Sequence, residues 1–188
     1  MVCGNSGKAI IIVDVLNDFV TGSLRCDRAQ RIVPHLVDLV KNAREKGIPV
    51  IYSNDAHIKG IDHELKLWGD HAIVGTEGAE VIPELEPKEG DYIVPKRRYS
   101  GFFGTDLDLV LRENEVENVV VVGTKTNCCI RATVTDAFYL NYNPYVIREC
   151  VATNSETVNE VHLTDIDKYL GKVIDMNTFS KMLEEGQL

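Results

Sequence analysis

The sequence predicts a three-layer α/β domain: a six-stranded, mainly parallel sheet with helices on both faces. Three observations carry this. Six apolar, strand-length segments alternate with stretches of helical periodicity, the order produced when helices cross between parallel strands. Val119-Val120-Val121-Val122 is an unbroken valine run, as expected of a strand covered on both faces. Several strand segments also end in a residue that carries chemistry, and open α/β sheets bind ligands at those ends. At 188 residues the chain reads as one domain with room for a substantial core, and residues 1–7 as a short flexible lead.

The first strand, Lys8 to Val13, is apolar and ends at Asp14, which taken alone reads as a cap of the next turn. Val15 to Arg25 reads as loop. From Asp27 a helix carries an apolar stripe of Ile32, Leu36 and Val40 and closes at Lys46-Gly47. Its Pro34 fits if it lies in the first turn, where a missing N–H is harmless. Ile48 to Ser53 is the second strand and leads to Asp55. Between Asp55 and Thr76 periodicity fades, and Asp55, His57, His63 and His71 collect there. Glu77 to Leu85 has the pattern of a short helix. Asp91 to Lys96 is the third strand, followed by the aromatic, glycine-loosened stretch Tyr99 to Gly104. Thr105 or Asp106 caps a helix with Leu107, Val110 and Leu111 inward. The fourth strand starts at Asn118, and the helix after it places Ile130, Val134 and Phe138 on one face. Tyr145 to Ile147 is the fifth strand. Ser155 caps a helix with Val158, Val161 and Leu163 apolar, Lys172 to Asp175 is the sixth strand, and a last helix runs from Thr178.

A net charge of −9 argues against a nucleic-acid surface, and Lys96-Arg97-Arg98 is too short a basic run to change that. No apolar stretch approaches the roughly 20 residues of a membrane span. Five cysteines, an odd number without zinc-ribbon or redox spacing, fit a reducing cytoplasm.

Chemistry concentrates where strands end. Gly123 closes the fourth strand, and Thr126 or Asn127 caps the following helix, so Cys128 and Cys129 fall in its first turn. Free N–H groups and the helix dipole there favour a thiolate. The Asp55-x-His57 pair places two ligands on one side of an extended strand end. With His63 and His71 these donors suit zinc, iron or manganese, although acidic loops also hold histidines that only face solvent. In a parallel sheet, Asp14, Lys96 and the cysteine pair share one edge: a general base, a charge stabiliser and a nucleophile.

These residues resemble the isochorismatase-like cysteine hydrolase superfamily, which includes nicotinamidases and N-carbamoylsarcosine amidases, over about Lys8 to Ala152. Asp14 in Ile-Val-Asp-Val-Leu-Asn-Asp-Phe, Lys96, and Cys129 in Gly-Thr-Lys-Thr-Asn-Cys-Cys-Ile-Arg-Ala-Thr match the catalytic trio. The resemblance, not local physics, selects Cys129 over Cys128. It implies a Rossmann-like fold, a cis peptide at Thr124-Lys125 and an oxyanion hole from the backbone N–H groups of Lys125 and Cys129. Resemblance to the nicotinamidase branch implies one divalent metal, foremost zinc, on Asp55, His57 and His71 with His63 as a fourth ligand. It also implies an aromatic pocket of Phe19, Trp68 and Tyr99 and no organic cofactor. The activity implied is hydrolysis of a small amide such as nicotinamide with release of ammonia. The alternative is an N-carbamoylsarcosine or ureido substrate, which Leu16 and Lys125 favour because nicotinamidases commonly carry Gln and Ala there. Pro-x-His-Cys is likewise replaced by Gly69-Asp70-His71-Ala72. A vinyl-ether hydrolase of the isochorismatase type disagrees with Cys129, and a non-catalytic homologue disagrees with retention of all three residues. A cytoplasmic homo-oligomer, dimer or tetramer, is expected, with a small-molecule amide as its partner and neither nucleic acid nor membrane.

Overall fold

The computed structural model describes residues 7–188, so Met1 to Ser6 of the expected lead lie outside the described residues. Gly7 already belongs to the fold, since its carbonyl accepts N–H bonds from Glu117 and Asn118, both at 2.9 Å. The elements are β1 (Lys8–Val13), α1 (Asn17–Val20), α2 (Asp27–Glu45), β2 (Val50–Asp55), α3 (Leu65–Trp68), β3 (Tyr92–Lys96), α4 (Leu107–Glu113), β4 (Asn118–Thr124), α5 (Arg131–Tyr139), β5 (Asn143–Ile147), β6 (Val151–Ala152), α6 (Glu156–Tyr169), β7 (Lys172–Ile174) and α7 (Met176–Glu184).

The sheet runs β3-β2-β1-β4-β5-β7, with β6 beside β4, and every ladder is parallel. It has seven strands among the described residues where six were expected. The extra one arises because β5 leaves β4 after the Val120–Tyr145 pair. A 3₁₀ turn, Arg148–Cys150, then brings Val151 and Ala152 back against Gly123 and Thr124. A two-residue ladder has no periodicity to read, yet this one pairs the strand end that leads into the cysteine turn.

Side chains of the central strands alternate between two cores. Ile10, Ile12, Val50, Tyr52, Val120 and Val122 pack under α2 and α7. Ala9, Ile11, Val13, Ile51, Val119 and Val121 pack under α4, α5 and α6. Each such aliphatic side chain, when fully buried, contributes about 1.5–3 kcal/mol, so the sheet edge that carries the site rests on a rigid base.

Several local expectations differ in detail. Pro34 is inside α2, not in its first turn. Pro34 and Gln30, the residue whose helical N–H bond a proline removes, both sit on the solvent face, where a freed carbonyl is accessible to solvent. Residues 17–20 form a single turn of helix where loop was expected, and Glu77 to Leu85 is two 3₁₀ turns, not a helix. The helix expected from Thr178 starts at Met176, capped by the Asp175 carboxylate. In α5, Ile130 and Val134 are buried but Phe138 is largely exposed. In α6, Ser155 is the cap, but the buried face is Asn159, Leu163 and Ile166, while Val158 and Val161 face outward.

Candidate active site

The backbones of β1 and β4 lie close together where the site begins. A Cβ on Gly123 would lie 2.1 Å from the Val13 carbonyl oxygen, and its φ is +114°, so only glycine fits. Asp14 follows β1 with φ +51°, a left-handed conformation that costs a non-glycine residue of order 1–3 kcal/mol and persists where surroundings enforce it. Here the surroundings are its own bonds. One carboxylate oxygen accepts the Asp55 N–H at 2.7 Å, the other lies 2.7 Å from the Lys96 ammonium, and its carbonyl accepts the Thr124 hydroxyl at 2.9 Å.

Lys96 ends β3 and is almost wholly buried. Its ammonium bridges Asp14 and Asp55, 2.5 Å from the latter. Burial alone would favour a neutral amine, but the two carboxylates hold it protonated well above the ordinary lysine range. Burial pushes the Asp14 carboxyl up, the Asp55 charge adds to this and Lys96 opposes it, leaving it at about 6. Asp14 is therefore mainly a carboxylate at neutral pH.

The peptide Thr124–Lys125 is cis, and Thr126–Ile130 forms a π-type turn in which the Ile130 N–H reaches back five residues to the Lys125 carbonyl. This turn presents Cys129 inward, and its sulfur lies within 4.8 Å of a carboxylate oxygen of Asp14. Cys128 is half-buried on the cleft wall instead. The thiolate expected from a regular helix N-terminus is corrected here. Burial pushes the Cys129 thiol well above its usual value, with Asp14 and Asp55 adding to the shift against Lys96. The resting group is therefore a thiol beside a carboxylate. Two anchors of this turn had no sequence signal: Thr126 donates to the Asn159 side chain of α6 at 2.7 Å, and Thr153 donates to that of Asn127 at 2.5 Å.

Beside this trio lies a second cluster. Ligand atoms of Asp55, His57, Glu64 and His71 all fall within 4.8 Å of one another. His63 is not among them. It is exposed, and its neighbour Glu64 at the start of the α3 turn takes the position instead, since adjacent residues of a helical turn point about 100° apart. A carboxylate in a histidine-rich loop was the one available signal for Glu64. The donor set fits a divalent cation. His57 Nδ1 is held by Asp62 at 3.1 Å and His71 Nδ1 by the Gly69 carbonyl at 2.8 Å, which leaves both Nε2 atoms for the cluster. His57 Nε2 is buried without a hydrogen-bond partner and faces Asp55 at 3.6 Å and Glu64 at 3.8 Å. Nitrogen and carboxylate donors in this arrangement suit zinc, iron or manganese.

The two clusters share one cleft of about 340 Å³, counting its open mouth, walled by Phe19, Leu24, Trp68, Tyr99, Lys125 and Cys128. The Trp68 indole donates to the Tyr99 hydroxyl at 2.8 Å, and Phe19 meets the His71 ring edge-on at 5.7 Å between centroids. The structure thus brings together every site residue read from the sequence except His63. Arg97 pairs with Asp62, and Arg98 donates to the Arg97 carbonyl while its charge acts on Glu64. The walls of the cleft are largely aromatic and apolar with a few converging polar groups, the lining that small-molecule sites use.

A family model described as the isochorismatase domain matches residues 8–178. An isochorismatase family protein of Bacillus subtilis (strain 168) is 31% identical over 171 residues, covering 87% of this chain and 90% of its own. Among solved structures, N-carbamoylsarcosine amidase from Thermoplasma acidophilum is 36% identical with a TM-score of 0.83, covering 89% of this chain and 95% of its own. Nicotinamidase from Bacillus subtilis is 30% identical with a TM-score of 0.86, covering 90% and 99%. A pyrazinamidase of Pyrococcus horikoshii, solved in complex with zinc, is 29% identical with a TM-score of 0.84, covering 90% and 99%.

Proposed function

Because the chain belongs to the isochorismatase family and is a hydrolase of that family, we propose that it cleaves the C–N bond of a small, flat amide, releasing ammonia through a thioester on Cys129. The observation that carries this is the buried Cys129 sulfur within 4.8 Å of a carboxylate oxygen of Asp14, a residue that Lys96 and the Asp55 N–H hold in place.

As the sulfur attacks the amide carbon, its proton moves to Asp14 and the C–S bond forms. Charge collects on the carbonyl oxygen, where the N–H groups of Lys125 and Cys129 receive it. When the C=O bond re-forms, the C–N bond breaks, and Asp14 returns the proton to the departing nitrogen. Water then attacks the thioester with Asp14 taking its proton, and acid and free thiol result. Lys96 keeps Asp14 ionised and oriented at both stages. Phe19, Trp68 and Tyr99 hold the flat substrate. Asp55, His57, Glu64 and His71 would hold a divalent metal, with zinc first, as in the pyrazinamidase complex. Bound there, it would supply Lewis acidity beside the substrate. No helix of the described residues is long and apolar enough to cross a membrane, and we place the protein in the cytoplasm as an oligomer.

Nicotinamide is the neutral ring amide this slot would take. A carbamoyl or ureido acid is the second reading, favoured by the Lys125 ammonium on the cleft wall. The test combines an ammonia-release assay on nicotinamide and N-carbamoylsarcosine with elemental analysis of protein purified without added metal. Turnover of at least one amide is expected, with a bound transition metal that falls at least severalfold in His71→Ala. Release of ammonia from neither, by folded, metal-loaded protein, would overturn the amidase reading. Equal metal in wild type and His71→Ala would overturn the metal site alone.

A further inference from the structure

We propose that Asp62 and Arg97 form a clamp outside the metal ligands, a pair of positioning residues that sets the affinity of the site by holding His57 in its ligating pose. This rests on the proposed metal site of Asp55, His57, Glu64 and His71, which the clamp pre-organises.

Asp62 is not one of the four clustered ligands, yet its side chain is fully buried. Both of its oxygens are engaged. Oδ2 accepts the His57 Nδ1–H at 3.1 Å and the Ile58 N–H at 2.9 Å, and Oδ1 accepts the Arg97 Nε–H at 2.8 Å. The Arg97 Nη2 also donates to Oδ1, and Nε lies 3.0 Å from Oδ2, so the guanidinium spans the carboxylate and fixes its plane. An ionised carboxylate can only accept, so the ring hydrogen of His57 stays on Nδ1 and Nε2 keeps its lone pair for the cluster. His71 has only the Gly69 backbone carbonyl in the same role.

The clamp is anchored on the strand that carries the catalytic lysine. Arg97 follows Lys96 at the end of β3, and the Lys96 ammonium holds one oxygen of Asp55 at 2.5 Å. Consecutive residues therefore orient two metal donors, Asp55 directly and His57 through Asp62. Removing Arg97 would leave a buried carboxylate without its guanidinium, and such a group is drawn toward water. As Asp62 turns out, the His57 ring loses its hold and the site weakens. Simple electrostatics has the opposite sign, because deleting a positive charge near a cation site tightens binding. The Arg97 variant therefore separates positioning from charge.

The experiment measures zinc affinity of metal-free protein by competition with a chromophoric chelator, and the visible absorption of the same protein loaded with cobalt(II). Arg97→Gln is expected to weaken zinc binding about tenfold and to alter the cobalt bands. Arg97→Lys should recover part of the loss, since an ammonium restores the charge but not the two-pronged contact. Asp62→Asn should weaken zinc binding by roughly 10- to 100-fold, the usual cost of losing the partner of a ligating histidine. Arg97 is half-exposed, so its variants carry the test if Asp62→Asn does not fold. Unchanged or tighter zinc binding in Arg97→Gln would overturn the clamp alone. Wild type that binds neither metal would overturn the metal site and the clamp with it.

Discussion

Cys129→Ala is expected to lower kcat for ammonia release by roughly 10⁴-fold or more, the scale of nucleophile removal in triad enzymes, whereas Cys128→Ala should stay within about tenfold of wild type. Both cysteines sit in one turn and both touch the cleft. Of the two, Cys129 is the one whose sulfur falls within 4.8 Å of an Asp14 carboxylate oxygen, the base that the proposed mechanism requires. Burial raises the Cys128 thiol pKa as well, against a lowering by Lys125 and with a further rise from the Glu64 charge. Steady-state kinetics on the two folded variants separates the roles. Comparable losses in both, or a larger loss in Cys128→Ala, would assign the nucleophile to the wrong neighbour.

Lys96→Met carries the second large effect, and it appears in stability as well as rate. The lysine is the shared partner of two buried carboxylates. Removing one member of such a set leaves uncompensated buried charge, which costs about 3–5 kcal/mol. Turnover should fall with it, because Asp14 beside an ionised Asp55 would hold its proton at neutral pH and accept none from the thiol. The loss depends on pH with a definite sign. In the variant both carboxyls titrate above their unfolded value of about 4, so the native state binds more protons than the unfolded state and stability falls as pH rises. Denaturant melts should therefore show the gap between wild type and variant narrowing from pH 8 to pH 5. A gap under about 1 kcal/mol at pH 8, or one that widens on acidification, would contradict the buried-trio account.

What was legible in the sequence was what repeats or what ends a repeat. The valine run of β4 and the apolar runs of β1, β2 and β3 gave the parallel sheet. Asp14, Asp55, Lys96 and the cysteines could be brought to one edge because parallel strands share an orientation. What escaped had no period. Val151 and Ala152 form a ladder too short to signal itself, although they support the cysteine turn. Glu64 replaces His63 because the irregular loop turns through a single helical step there, and ligand types alone do not reveal which neighbour faces inward. The apolar residues of α6 misled for a related reason: Val158 and Val161 face outward while Asn159 is buried, satisfied by Thr126 of the cysteine turn. A polar residue placed inward to hold a functional turn breaks the hydrophobic pattern that identifies a core face. The expected thiolate failed on energetics, since burial outweighs the pull of Lys96. The direction of Lys125 follows from Phe19 and Trp68, residues over 50 positions away, and no local pattern encodes it.

The central claim is that amide cleavage passes through a thioester on Cys129. Mass spectrometry of wild-type protein acid-quenched during turnover of its best amide tests it most directly. The account predicts that the peptide carrying Cys128 and Cys129 gains the mass of the substrate less ammonia, with fragmentation placing the acyl group on Cys129 and hydroxylamine removing it. Full-rate turnover with that peptide unmodified at every quench time, or an acyl group mapped to Cys128, would contradict it.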